Sequence, residues 1–460
     1  MRSTFRAAST GTPVGSVIVV GGGVSGLTTA WALHNAGVEV TVLEAGAEPG
    51  GTATSGAESG FIFDRGPNGF LTSNPATWQL AHDLGIAEDL VEASPGAKRR
   101  YLLKDSGLVP LPSSPVALMS TPLLTAKGKI RAAREPFVRT PAPDDESVHA
   151  FFERRFGAEV ANVFAVPMVM GITSGDAREV SIGSLFPRLV EAEAESGSVL
   201  RGMMARRKNK QEGAPSGRLC SLRHGMGQLT RTLAEQLGER VHYETAADGL
   251  RRDGDRWCVS AGSRRWTADA VVTTIPALPT AELLQLISAD AAEEVRGIRY
   301  AGVRVISLGF NAADVTRELD GFGFLVPRGG RARILGCVWT STVFPGRAAA
   351  GRVLIRVIAG GTLDPAFTDL GDAEALSAAL EDITEPLGLR GEPIFVRHVR
   401  WLHAIPQPEV GHAARVARID SALGQHRGLY VSGNAFRGIS VNDCVAHGRV
   451  LAERVVAELR

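Results

Sequence analysis

Cysteine is scarce. The chain has four in 460 residues (Cys220, Cys258, Cys337 and Cys444), with no CxxC pair among them. That argues against a disulfide framework or a cysteine zinc site and suits a reducing compartment. The ten histidines show no HxxxH or HExxH spacing, so no metal is expected. Acids and bases balance to a formal charge of +1. No global field therefore favours nucleic acid, and no nucleic-acid partner is expected. No apolar run reaches the roughly 18 residues that a spanning helix needs. Residues 1–15 carry Arg2 and Arg6, no acid and no apolar stretch of the kind a secretory signal requires; they read as a short disordered tail, the alternative being a remnant of a targeting peptide.

What is present is organised around residues 16–51. The apolar run 17–20 stops at Gly21-Gly22-Gly23. A helical pattern follows, opening at Val24, Ser25 and Gly26 and carrying Leu27, Ala30 and Trp31 on one face. A β-rich run, 38–43, ends in Glu44. Strand, glycine turn, helix, strand and acid together are the dinucleotide-binding fingerprint in its expected context. Gly21 permits the tight turn, Gly23 lets backbone approach a pyrophosphate, and Gly26 allows close helix–strand packing. The free N–H groups at the helix start favour the phosphate charge. Glu44 is placed for ribose hydroxyls and disfavours a 2′-phosphate, hence NADP. Ala45 and then Gly50-Gly51-Thr52 look like the extended FAD-binding motif of amine-oxidase-like flavoproteins; the alternative for Gly50-Gly51 is an ordinary loop.

The length points to two or three lobes, and 44% hydrophobic content with 53 glycines fits an α/β protein. Residues 61–63 read as a strand and Gly66-Pro67-Asn68-Gly69 as a turn, either plain surface or set beside the cofactor. Residues 78–84 have helical spacing, and 97–111 form a hairpin. Residues 110–143 hold seven prolines and one acid, Glu135. There an apolar stretch, 116–124, precedes Lys127, Lys129, Arg131 and Arg134. It suits either a membrane interface or an internally packed lobe. Helices are expected over 144–156, 160–170 (interrupted by Pro167) and 185–204, with 206–210 an exposed mobile loop. The domains expected are therefore an FAD-binding domain (15–100, 225–280 and 425–460), an inserted helical lobe (100–210) and a substrate-binding domain (281–424). Strand-like alternation runs through 297–405, and the helix 373–387 falls within it. A C-terminal strand, 429–431, leads through Gly433-Asn434 to a helix opened by Gly438-Ile439-Ser440-Val441. Its N-terminus would favour negative charge on a reduced flavin. Backbone near Ala247 is expected at the adenine.

These motifs converge. Gly66-Pro67-Asn68, Lys98-Arg99-Arg100-Tyr101, Gly171-Ile172 with Gly175-Asp176, and Gly321-Phe322-Gly323-Phe324-Leu325-Val326-Pro327 come first. Thr342-Val343-Phe344-Pro345, Arg400-Trp401, Ile405-Pro406-Gln407 with Gly411-His412, and Gly433-Asn434 with Gly438 follow. With them the chain, over about residues 17–459, resembles the oxygen-dependent porphyrinogen oxidases, above all the protoporphyrinogen IX oxidases of haem and chlorophyll synthesis. The resemblance implies a Rossmann-like FAD-binding domain, a mixed-sheet substrate domain and a membrane-associated helical lobe. It also implies non-covalent FAD, a tetrapyrrole substrate, dioxygen as acceptor, a cytoplasmic position on a membrane face, and often a homodimer. Carried onto this chain, the FAD set is Gly21, Gly22, Gly23, Val24, Ser25, Gly26, Glu44, Ala45, Gly51, Thr52, Gly66, Pro67, Asn68, Gly69, Ala247, Trp401, Gly433, Ile439, Ser440 and Val441. Asn68, Arg100, Gly171, Ile172, Phe324, Leu325 and Ile358 would line the tetrapyrrole pocket. Arg100 matches the arginine that meets a propionate in some members; the alternative is a solvated charge beside Arg99. One departure stands out: many members carry a basic residue two positions before the glycine pair, where this chain has Glu48.

The implied chemistry removes six hydrogens from a porphyrinogen in three two-electron rounds, each returning electrons to dioxygen as hydrogen peroxide. Tautomerisation spreads the oxidation around the ring, so a strong general base is not required. Asn68 is the residue expected to orient the macrocycle or the flavin. Coproporphyrinogen III oxidation needs the same chemistry on a substrate with two more propionates, and more cavity cations would mark it. A carotenoid desaturase, an amine oxidase and a catalytically silent flavoprotein are the remaining readings; an amine oxidase calls for an aromatic cage that Trp401 alone does not make.

Overall fold

Five parallel strands form the first layer. In spatial order they are Val241–His242, Glu39–Leu43, Ser16–Val20, Ala270–Thr273 and Leu429–Val431. The computed structural model describes residues 14–105, 107–208, 217–327 and 329–460. Alternate residues of the first strand serve opposite faces, as strand geometry dictates. Val17 and Val19 join a core with Leu27, Leu33 and Val445, beneath the helices Val24–Asn35, Gly227–Leu237 and Val441–Leu459. Ile18 and Val20 join a second core on the other face. Covered on both sides, the strands are near-continuous Val and Ile runs.

The second layer is a seven-stranded mixed sheet. Its order is Phe395–Pro406, Tyr300–Asn311, Arg352–Gly360, Ile334–Val338, Gly323–Leu325, Tyr101–Lys104 and Gly107–Pro110. The helix Asp372–Leu387 covers one face, over Ile306, Leu308, Ile355, Val357 and Phe367. On the other face, Leu354 and Phe395 pack on Phe61 and Phe63, so this face looks toward the segment that follows the cofactor turn.

A helical lobe is inserted between. Its core gathers Val148, Phe151, Val169 and Met170. The helix Val148–Phe156 starts where the Ser147 hydroxyl accepts from the Ala150 amide, and it stops at Gly157, whose φ of +96° a side chain would resist. Its hub is the acid expected to stand alone among prolines. Glu135, 0% exposed, accepts hydrogen bonds from Ser198 Oγ (2.6 Å), the Val199 amide (2.9 Å) and Arg155 Nε (2.9 Å).

Several expectations need correcting. The hairpin 101–110 belongs to the seven-stranded sheet, not to the helical lobe, because Tyr101 and Leu102 pair with Phe324 and Leu325. The helices Ala277–Leu284, Ala289–Arg296 and His412–Leu423 pack on the five-stranded sheet, although 281–424 was assigned to the substrate domain. The strands Gly249–Asp253, Arg256–Ala261 and Arg264–Ala268 make an antiparallel sheet of their own. Residues 185–204 break at Pro187 and at Gly197 (φ +65°) into separate helices. Residues 206–208 continue the helix Val199–Lys208, where Arg206 is ion-paired to Glu191 and Glu195, instead of forming a mobile loop. Residues 209–210, and residues 1–13 of the expected disordered tail, lie outside the described residues.

Candidate cofactor and substrate site

The first strand ends at Gly21, with φ +107°. A Cβ there would come within 2.8 Å of Thr274 Oγ1. A Cβ on Gly26 would overlap the Gly21 carbonyl oxygen, so helix and turn touch through bare backbone. Gly23 differs: a Cβ built on it meets nothing within 4 Å. Open space therefore faces the start of the helix Val24–Asn35, whose first turn has no side-chain cap and no acid. Free amides, a positive helix end and an open approach fit a pyrophosphate.

Glu44, expected at the ribose, is held in place. Glu44 accepts from the amides of Gly22 (2.6 Å) and Gly46 (2.7 Å). The chain beyond His242 runs alongside it, with the Thr245 amide donating to the Glu44 carbonyl and the Glu244 amide to that of Gly46. Ala247 is two residues further on. Gly50 is no ordinary loop residue: its amide donates to the Gly22 carbonyl, and it bridges to Gly23. Gly51 lies against the Gly23 Cα at 3.7 Å from its built Cβ. A Cβ on Gly66 would overlap the Thr52 carbonyl oxygen, which locks the Gly66-Pro67-Asn68 segment beside Thr52. Gly66 lies in a bend, and Pro67, Asn68 and Gly69 carry no regular structure before the strand Phe70–Leu71, so no hydrogen-bonded turn forms there. Trp401 Nε1 donates to the Arg65 carbonyl at 2.8 Å. Glu48, the departure, is neutralised by an ion pair with Arg65.

The C-terminal segment arrives at the same edge. The Ser432 amide donates to Thr273, and Gly433 (φ +115°) abuts Thr274. Ser440 caps the helix Val441–Leu459 in a capping box with Asp443. Asp443 Oδ2 accepts from Ser440 Oγ (2.6 Å) and the Ser440 amide (3.2 Å), so a carboxylate stands at that helix terminus.

Substrate-side residues divide by strand parity. Pairing places Leu325, Ile358 and Trp401 on one face of the mixed sheet. Gly171 packs on Leu325, its built Cβ falling 2.7 Å from Leu325 Cδ2, and Ile172 beside it is exposed. Phe324 is a correction. At 2% exposure it sits in the core under the helix Asp372–Leu387, on the face opposite Leu325 and Ile358. Asn68 is half-buried, and no hydrogen bond claims its amide among the described residues.

The paired arginines separate clearly. Arg99 is ion-paired to Asp320, which also accepts from Tyr101 Oη at 2.7 Å. Arg100 has no carboxylate partner among the described residues and lies 5.1 Å over the Phe322 ring. It is open to solvent yet surrounded by protein, and desolvation lowers its guanidinium from the ordinary arginine value. Sequence reasoning missed the structural job of Gln407. Its Nε2 donates to the Thr173 and Ile405 carbonyls, pinning the helix end that carries Gly171 to the sheet.

Comparison with known proteins adds the following. The flavin containing amine oxidoreductase family matches residues 24–456. Coproporphyrinogen III oxidase of Bacillus subtilis (strain 168) is 29% identical over 458 residues, covering 94% of this chain and 96% of that protein. The chloroplastic protoporphyrinogen oxidase of Oryza sativa subsp. japonica is 32% identical over 461 residues, covering 93% of this chain and 85% of the relative. Among solved structures, a candidate protoporphyrinogen oxidase from Exiguobacterium sp. 255-15 superposes with a TM-score of 0.83 at 25% identity, over 98% of this chain and 100% of that one.

Proposed function

From the premise that the chain belongs to the flavin containing amine oxidoreductase family, we propose that it oxidises protoporphyrinogen IX to protoporphyrin IX, with FAD as cofactor and dioxygen as final acceptor. Bound FAD supplies two-electron oxidation and hands the electrons to dioxygen, releasing hydrogen peroxide. The protein's part is to hold and orient. Gly21, Gly23 and the amides of Val24, Ser25 and Gly26 would seat the pyrophosphate, and Glu44 the ribose. Thr52, Gly66, Pro67 and Trp401 form the link toward the ring end. Gly171, Ile172, Leu325 and Ile358 give the macrocycle apolar walls. The free amide of Asn68 orients it, and Arg100 takes a propionate.

Arg100 carries the substrate half of this reading. It is an unpaired guanidinium beside an ion-paired neighbour, at the edge of an apolar wall. Coproporphyrinogen III is the second reading, favoured by the name of the Bacillus subtilis relative. Initial rates in air, followed by porphyrin fluorescence, separate the two. Faster turnover of protoporphyrinogen IX supports the first reading, and faster turnover of coproporphyrinogen III replaces it.

We also infer peripheral membrane contact through the helical lobe. Val116 (79% exposed), Phe137 (75%), Met119 and Ile130 are exposed in the same segment as the exposed Lys127 and Arg134. Apolar side chains beside cations suit an anionic lipid face. No described helix is long and apolar enough to cross a membrane.

A further inference from the structure

The sheet face that carries Ile358 holds a second cation, which the reaction described so far does not use. Arg356 is central in the strand Arg352–Gly360, opposite Ser307 on one neighbour and Val338 on the other. By strand parity it shares the face of Ile358 and points away from Ile355 and Val357. It is 8% exposed. Its Nε is wholly buried with no partner, and no hydrogen bond or ion pair engages its guanidinium among the described residues.

The carboxylate that acts on it is Asp64, and Asp64 is already committed. Its Oδ1 accepts from Ser55 Oγ (2.6 Å) and the Met226 amide (2.7 Å), and its Oδ2 faces Arg347 Nη2 at 3.2 Å. Arg347 is buried too, and its Nη1 lacks a partner. Of the two buried guanidiniums only Arg347 is ion-paired to that carboxylate, which leaves Arg356 a buried cation with no partner among the described residues. Such a charge is destabilising unless an anion completes it.

The surroundings indicate which anion. Val338, opposite Arg356, packs with Phe322 and Phe344. Arg100 lies over Phe322, and a Cβ on Gly69, next to Asn68, would stand 3.0 Å from the Phe344 ring. One apolar strip thus has Arg100 at one end and Arg356 at the other, about three strand spacings or roughly 14 Å apart. We propose that Arg356 is a second carboxylate seat of the substrate cavity, taking one propionate of a tetrapyrrole while Arg100 takes another. The inference rests on the porphyrinogen reading and adds to it. One anchor leaves a macrocycle free to swing about its propionate. Two anchors fix its rotation in its own plane, and with it the bridge carbon presented for oxidation.

The test uses the full chain loaded with FAD and measures porphyrin affinity by fluorescence quenching. The probes are a dipropionate porphyrin, its monomethyl ester and its dimethyl ester. For the wild type, each lost carboxylate should weaken binding about 10- to 100-fold. R356M should bind the dipropionate about 10- to 100-fold more weakly and no longer distinguish it from the monoester, and R356K should restore part of the loss. Equal dipropionate affinity in wild type and R356M overturns the proposal. So does a shift in flavin midpoint potential in R356M with unchanged porphyrin affinity, which would assign the charge to the cofactor. If R356M fails to fold, the wild-type ester series decides: a single weakening step leaves only one seat and refutes the second. A wild type that binds FAD but no porphyrin of any form refutes the porphyrinogen reading itself.

Discussion

Replacing Glu135 by glutamine removes a fully buried negative charge from the middle of the helical lobe. The carboxylate is fully buried and accepts from Arg155, Ser198 and the amides of Val199 and Leu200. Arg155 is itself buried, at 1% exposure; besides the carbonyls of Val138, Glu135 and Gly197, it would keep one carboxylate among the described residues, Glu193 at 3.2 Å, which Arg154 already shares. A glutamine keeps one acceptor oxygen, but its NH2 must then face donors, either Arg155 and the Val199 amide or the Leu200 amide. Breaking a buried pair from one side costs about 3–5 kcal/mol, and the remaining Glu193 contact places E135Q near the lower end. The assay is a urea titration of wild type and E135Q, with circular dichroism and a lobe-specific fluorescence probe. A pH series gives a second check. Burial alone would raise the Glu135 carboxyl, but hydrogen bonds from Ser198, Arg155, Val199 and Leu200 outweigh it and hold the group below its ordinary value. Folding lowers this pKa, so the stabilisation is complete above the unfolded glutamate value near 4.3 and is lost as pH falls through the lower folded value. The gap between wild type and E135Q should stay constant from neutral pH to about pH 5 and close below it. A difference within about 0.5 kcal/mol at neutral pH, or a gap that widens in acid, would refute this reasoning.

Other outcomes follow from the site. G26A should lose bound FAD on gel filtration, because its Cβ overlaps the Gly21 carbonyl; a variant that retains a full flavin complement contradicts the packing. R100M should raise KM for a porphyrinogen about 10- to 100-fold while leaving the flavin spectrum unchanged, and an unchanged KM would return Arg100 to the solvated surface. N68A should slow turnover without loss of FAD, and an unchanged rate removes Asn68 from its orienting role. V116D/F137D should abolish flotation with anionic liposomes; wild-type protein that stays in the soluble fraction refutes the membrane contact.

The cofactor end was legible because its signals are local. Gly21, Gly23, Gly26 and Glu44 fall within one strand–helix–strand unit, and each residue type answers a backbone need that its neighbours in sequence define. The substrate end depends on which strands pair. Phe324 and Leu325 are adjacent in a strand and cannot share a face, so period-2 alternation alone ruled out placing both in one pocket. Which of the two faced inward took the pairing with Gly336 and Ile358 to decide. The hairpin 101–110 gave its local form correctly, but its membership of the mixed sheet comes from a parallel partner more than 200 residues away. Asp64, Arg347 and Arg356 carry no motif, and only folding brings them together. Gln407 was noticed as part of a motif, but its role as a clamp on the Thr173 carbonyl is a tertiary fact.

The central claim is that this chain takes electrons from a porphyrinogen into its flavin. The direct measurement is rapid anaerobic mixing of the FAD-loaded protein with protoporphyrinogen IX, followed at the visible absorbance of the flavin. The flavin should bleach with saturating dependence on substrate and recover when air is admitted, with hydrogen peroxide released. Flavin that stays oxidised with both protoporphyrinogen IX and coproporphyrinogen III would contradict it.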